Sequence, residues 1–260
     1  MWSLSGYRGL MGRFHGVTLA GLALCGSLTL PPSDRAPVGE PVERLQRREV
    51  IGRSVQGRSI RVLKVGSRSA DHRVLVFGCI HGTECAGRRI VSRLRKGGRV
   101  DGARLWLVRN LNPDGSRAGT RQNARGVDLN RNFARGWRAG GEPWDRYYPG
   151  PRPFSEPETR AARRLVRDIR PHITMWYHQA MNLVVKAPRH RVVQRRYARL
   201  TGLDVVDLGF IPGTAPRWQN HRWPRHLAMV VELSGQVSRA EVTRHTRAVR
   251  RIARRGLGRS

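Results

Sequence analysis

Two short stretches of this 260-residue chain concentrate groups that can do chemistry. Gly78-Cys79-Ile80-His81-Gly82-Thr83-Glu84 closes an apolar run with an imidazole and a carboxylate three residues apart. Gly126-Val127-Asp128-Leu129-Asn130-Arg131-Asn132-Phe133 sets a carboxylate, an amide and a guanidinium almost side by side. Histidine and glutamate at a strand end are donors suited to a divalent metal, and a hydrolytic zinc site needs three protein ligands with one position left open. The third ligand should come from another strand end, and His178 qualifies, near the close of Ile173-Thr174-Met175-Trp176-Tyr177-His178-Gln179. Glu232 stands at the end of Met229-Val230-Val231-Glu232-Leu233. A carboxylate after two valines is either paired in the interior or facing a cleft, where it could take a proton from water and pass it to a leaving amine. Each piece alone is common, and the ordered combination carries the weight. His72, His172, His190, His221, His226 and His245 read as structural or surface residues.

Elements that would position these groups follow from periodicity and punctuation. Residues 49–55 and 59–66 alternate apolar and polar around Gln56-Gly57, which predicts a hairpin. A continuous apolar run over 73–80 fits a buried strand. Helical spacing follows over 84–96, stopping at Gly97-Gly98, and 103–109 is a further strand ending in Asn110-Leu111-Asn112-Pro113-Asp114-Gly115. The next stretch, to Glu156, is rich in Gly, Pro, Trp and Tyr and has little periodicity, so a long functional loop is expected. Ser155 with Glu158 reads as a capping box, with Pro157 early in a helix reaching residue 169. Strands are expected at 172–178, 182–187 and 227–233, with a helix over 189–200. Ser238 with Glu241 should cap a last helix to about residue 254. Strands alternating with helices argue for one α/β domain with a twisted, mixed and largely parallel sheet flanked by helices. In such sheets, sites gather at the carboxyl ends of strands.

The charge balance is unusual: fifty Lys+Arg against eighteen Asp+Glu give +32, and the only lysines are Lys64, Lys96 and Lys186. An arginine-dominated surface is drawn to polyanions such as an anionic wall polymer or a membrane surface. The arginines are spread along the chain without a basic tract, which argues against nucleic acid and is equally what a GC-rich coding sequence produces. Arg8, Arg13 and His15 precede a small, apolar run over 16–30 and then Pro31-Pro32-Ser33-Asp34, the layout of an export signal. Leu24 is too bulky before Cys25 for lipid attachment. The expected organisation is a signal at 1–30, a linker at 31–48 and a catalytic domain at 49–260, secreted or held at the envelope; a misassigned start would instead leave a cytoplasmic enzyme. Cys79 and Cys85 could pair in an oxidising compartment, but two small buried thiols is the reading preferred here.

In their order along the chain, these motifs resemble the zinc carboxypeptidase family of metallopeptidases, over roughly residues 49–235. The resemblance looks closest to its short bacterial branch, which includes the murein peptide amidases. It implies one zinc ion held by His81, Glu84 and His178, with Glu232 as the general base. It makes Asp128 the carboxylate orienting His81, and Asn130 with Arg131 the pair gripping a substrate's free carboxylate. Arg121, with Arg125 as the alternative, would stabilise the oxyanion. Asn112-Pro113-Asp114-Gly115 also matches and should shape that loop. The tyrosine that closes over substrate in the digestive enzymes has no evident counterpart, Tyr197 lying in a helical segment. Side-chain preference would come from residues 202–226, with Asp204 and Asp207 receiving a basic group or Ile211, Trp218 and Trp223 lining an apolar pocket. The implied substrate is a peptide or muropeptide carrying a free carboxylate next to the scissile amide. The rivals are a general metallocarboxypeptidase or amidohydrolase on small peptides and a catalytically silent polyanion-binding protein of the same fold.

Overall fold

Alternation along the central strands builds two cores, one on each face of a single sheet. The computed structural model describes residues 46–258; the proposed export signal and the greater part of the 31–48 linker lie outside them. Among the described residues, eight strands follow the order β1-β2-β4-β3-β5-β8-β6-β7. β1 (Gln46–Arg53) and β2 (Ser59–Val65) form the antiparallel hairpin expected around Gln56-Gly57, and β2 runs antiparallel to β4 (Ala103–Val108). β4, β3 (His72–Phe77), β5 (Ile173–Gln179) and β8 (Leu227–Leu233) are the parallel centre. β6 (Leu183–Val185) joins β8 antiparallel, and β7 (Asp204–Val206) pairs with β6 in parallel. β1 starts at Gln46, so the sequence boundary at residue 49 falls inside the hairpin.

Val74, Val76, Leu105, Leu107, Met175, Tyr177, Met229 and Val231 face one core, together with α1 (Gly87–Lys96), α4 (Arg191–Thr201) and α6 (Arg239–Arg255). Leu75, Phe77, Trp106, Trp176 and Ala228 face the other, with α3 (Pro157–Ile169) and α5 (Ala215–Arg222). The period of two then fixes the site: His178 shares its face with Trp176, and Glu232 shares its face with Ala228. His178 and Glu232 are also register partners on neighbouring parallel strands. Both therefore leave the sheet on one side at its carboxyl edge.

The two capping pairs expected from the sequence fare differently in the fold. Ser238 caps α6 as expected, its side chain accepting from the Glu241 N–H. Ser155 does not cap α3: the N-cap is Glu156, and the Ser155 hydroxyl donates to the Glu156 carboxylate and accepts from Asn132. Glu158 instead accepts from the Val55 N–H and from Asn123, so the pair braces the neighbouring loop. α2 (Pro113–Ala118), absent from the sequence reading, is one short helix inside Asn112-Pro113-Asp114-Gly115 and beyond. Asn112 caps it by accepting from the Gly115 N–H.

A buried polar chain crosses the first core. Tyr177 and Tyr197 share a hydroxyl hydrogen bond of 2.8 Å, and Tyr197 Oη lies 2.6 Å from His245 Nδ1. Tyr197 is thus a core residue, away from any substrate. Burial, opposed by Glu241 and reinforced by Arg244, pushes the His245 pKa down to about 4. The unfolded chain binds the proton from about pH 6.5 and the folded chain only near 4, so stability falls as pH drops through that window. The loss should total on the order of 3 kcal/mol. Urea midpoints of wild type and His245→Gln between pH 7 and 4 test it: the wild type should lose more stability on acidification, and parallel curves would refute the assignment.

Candidate active site

His81 and Glu84 sit on the turn that leaves β3. Cys79 and Cys85 bracket this turn and are disulfide-bonded, with Cα atoms 4.7 Å apart. This corrects the reading of two free thiols. The turn folds back on itself, Glu84 N–H donating to the His81 carbonyl at 3.0 Å, and so brings the cysteines together. Gly82 lies so close to α2 that an added Cβ would stand 2.1 Å from the Gly115 carbonyl carbon, which excludes any other residue there.

Three ligand atoms converge. His81 Nδ1 is 2.9 Å and His178 Nδ1 3.0 Å from the same Glu84 oxygen, and the two ring nitrogens are 3.2 Å apart. The donor atoms of His81, Glu84 and His178 all lie within 4.8 Å of one another. Two imidazole nitrogens and one carboxylate oxygen aimed at one point are a donor set that fits zinc. Asp128 supports the geometry from behind: its Oδ1 accepts from His81 Nε2–H at 2.8 Å, which leaves Nδ1 to the shared point. Asp128 also caps the 3-10 turn Leu129–Arg131, accepting from the Asn130 N–H. Burial lowers the proton affinity of His81, but Asp128 and Glu84 outweigh it and raise the pKa. Burial likewise raises Glu84, but its hydrogen bonds to His178 and His81 hold it well below the usual carboxylate range. A site that favours charge in this way favours a cation.

A cavity of about 880 Å³ opens over this cluster. Glu232 lines it, and its buried Oε2 has no hydrogen-bond partner. Burial raises the Glu232 pKa, with the nearby imidazoles opposing. Arg121 reaches the cavity between two carboxylates: Nη1 donates to Glu84, and Nε and Nη2 donate to Asp128 Oδ2 at 3.2 and 3.0 Å. Its alternative, Arg125, lies elsewhere and stands 3.8 Å from Glu156. Asn112 fixes the Arg121 segment by donating to the Arg121 and Gln122 carbonyls. Arg131 lines the cavity and donates to the Asn130 carbonyl at 2.9 Å. Asn130 is more committed than the resemblance implies: its Oδ1 accepts from the Ala215 N–H and its Nδ2 lies 3.4 Å from His178 Nε2. One Asn130 amide hydrogen remains for a ligand.

Sequence reasoning missed Tyr147, which lines the cavity beneath three guanidiniums: Arg131 at 4.8 Å, and Arg121 and Arg146 at 5.6 Å from the ring centre. Its segment is ordered by non-periodic bonds, such as Asp128 N–H to the Tyr148 carbonyl and Asn132 to the Pro149 and Arg152 carbonyls. No spacing rule selects it. His221 also lines the cavity. Of the proposed specificity residues, Asp207 and Ile211 face the cavity, with Asp207 bound to Lys186 at 2.8 Å. Trp218 and Trp223 do not line it: Trp218 is buried against Phe133, Phe154 and Trp223, because large aromatic surface is worth more in the core. Asp204, on β7, is likewise absent from the lining.

Comparison with known proteins agrees with this arrangement. The family model described as zinc carboxypeptidase matches residues 41–198. Murein peptide amidase A of Escherichia coli K12 is 31% identical over 191 residues, covering 65% of this chain and 75% of the relative. The crystal structure of murein-tripeptide amidase MpaA from E. coli O157 superposes with a TM-score of 0.68 at 27% identity, covering 80% of this chain and 91% of that one. Carboxypeptidase A from Helicoverpa armigera has the same fold, with a TM-score of 0.70 at 17% identity over 82% of this chain and 69% of that one. With a candidate metal triad at the carboxyl edge of its mixed sheet, and with the family model matched over residues 41–198, this chain belongs to the zinc carboxypeptidase family.

Proposed function

We propose that the protein is an exported zinc metallopeptidase that hydrolyses an amide next to a free carboxylate, with peptidoglycan stem peptides as its substrate class. The observation that carries this reading is the convergence, in one cavity, of the His81–Glu84–His178 cluster, the Glu232 carboxylate with its unpartnered Oε2, and the Arg121 and Arg131 guanidiniums. The similarity to an enzyme named murein peptide amidase A supports the choice of substrate class. The Cys79–Cys85 bond supports an oxidising compartment and hence export.

His81, Glu84 and His178 would hold the zinc, with Asp128 fixing the His81 ring. Zinc in that position supplies Lewis acidity to the scissile carbonyl and to water. Arg131, backed by Tyr147 and by the Asn130 carbonyl, receives the substrate's free carboxylate, and the remaining Asn130 amide hydrogen can join it. Glu232 accepts a proton from the attacking water and delivers it to the leaving amine. Arg121 donates to the oxygen on which charge develops, its orientation fixed in advance by Glu84 and Asp128.

Parallel digests of muropeptides and ordinary C-terminally free peptides, read by mass spectrometry, test the substrate class. Loss of a single stem-peptide amide is expected, and equal or faster cleavage of ordinary peptides would favour a general carboxypeptidase. Amidating the terminal carboxylate should lower kcat/KM by about 10–100-fold, the worth of a charge-assisted contact. That penalty should vanish in Arg131→Ala; a variant that still discriminates would show that the carboxylate binds elsewhere.

A further inference from the structure

A second cationic cleft lies at the opposite end of the sheet. Arg73 and Arg104 are each the second residue of their strand, β3 and β4, and are register partners. They stand at the amino edge, roughly 15–20 Å along the strands from the catalytic edge. Arg68, Arg73, Arg104 and Arg170 line a cleft of about 410 Å³, with Trp106 also in its wall. Among the described residues, Asp168 is the only acidic one lining it. Among the described residues none of the four arginines makes an ion pair.

The four are not equivalent. Arg73 is largely engaged: Nε donates to the Ile169 and Arg170 carbonyls, and Nη2 lies 3.0 Å from His172 Nε2. Arg104 is held over the Trp106 ring at 5.0 Å, and its buried Nε has no hydrogen-bond partner. Burial and then the charge of Arg68 lower the Arg104 pKa, so the two guanidiniums repel. Arg170 holds the C-cap of α3 at φ 42°, a left-handed position that ordinarily selects Gly or Asn, and it adds a guanidinium to the rim. The Arg104 Nε–H is a buried donor left over beside guanidiniums that lack an ion-pair partner, and an anion in the cleft would satisfy both.

We propose that this cleft is a binding site for a phosphate-type oxyanion, separate from the active site. Several guanidiniums approaching one space from different strands and loops match the tetrahedral oxygens of a phosphate group, which do not share one plane, better than those of a planar carboxylate. The anion could be free phosphate or a phosphodiester unit of a polymer.

The test titrates inorganic phosphate into the full, zinc-loaded chain at constant ionic strength, following the Trp106 indole N–H by NMR, assigned through Trp106→Phe. A saturable shift is expected. Arg68→Gln/Arg104→Gln should weaken binding about ten-fold or more, the worth of lost charge-assisted bonds. The matched pair Arg195→Gln/Arg199→Gln, exposed on α4, removes the same charge and should change it less than about two-fold. Arg68→Gln alone, at an exposed position, should weaken binding measurably even if the double variant folds poorly. Peptidase turnover should be unchanged in all of these. Equal weakening in both pairs, or no saturable shift in the wild type, overturns the proposal. A glycerol phosphate oligomer run in parallel identifies the source: tighter binding than inorganic phosphate supports a polymer, and equal binding supports the free ion.

Discussion

Replacing Glu232 by Gln is expected to lower kcat by about 10²–10⁴-fold, the usual worth of a positioned general base, while one zinc stays bound. The expectation rests on where β8 delivers this side chain. It is the register partner of His178, it lines the cavity, and its buried oxygen is left without a partner. A glutamate kept for structure would have its oxygens satisfied, because an unsatisfied buried acceptor costs about 1–3 kcal/mol. Gln preserves shape and polarity but cannot take a proton. Turnover within ten-fold of the wild type would remove Glu232 from the mechanism. Loss of zinc from the variant would show instead that Glu232 is needed to hold the metal.

Arg121→Ala is expected to lower kcat by about 10²–10³-fold, the usual cost of removing one preorganised oxyanion donor. Part of the effect is indirect, since Arg121 donates to both Glu84 and Asp128. Arg121→Lys separates the two contributions. It keeps the charge beside Glu84 and Asp128 but loses the planar fork that spans them. Lysine should restore zinc affinity more fully than it restores kcat. A variant whose whole defect is reversed by excess zinc would mean that Arg121 only braces the metal ligands. A rise in KM at constant kcat would assign it to substrate binding instead.

What the chain discloses in advance follows physical lines. β8 is read to the residue because Leu227–Leu233 is an apolar run broken only by Glu232, between clear boundaries. The cap of α6 is legible because Ser238 reaches the backbone three residues on, a purely local bond. Ser155 and Glu158 have the same spacing but spend their side chains on Glu156, Asn132, Asn123 and Val55, and only the folded chain supplies those partners. α2, β7 and α5 escape notice because each is short and held by tertiary contacts, as when Asn220 bonds both backbone groups of Ala228. The His81–Glu84–His178 cluster was visible because ligand chemistry dictates residue types at strand ends. Tyr147 was not, since it is placed by a loop whose order comes from buried asparagines rather than from any period.

The arginine surplus divides in the same way. Most of it is spread along the chain and has no single structural reading. Two groups are gathered by the fold, one around Tyr147 over the catalytic cavity and one at the amino edge of the sheet. Composition alone could not separate these from the rest, because the residues come from strands and loops distant in sequence.

The most direct test of the central claim is zinc stoichiometry, measured by plasma mass spectrometry on purified wild type and on His81→Ala and His178→Ala proteins after dialysis against trace metal. One zinc per wild-type chain and a loss of stoichiometric zinc from both variants is the predicted result. Equal zinc in all three proteins, or none in the wild type after loading, would contradict a metal centre built from His81, Glu84 and His178.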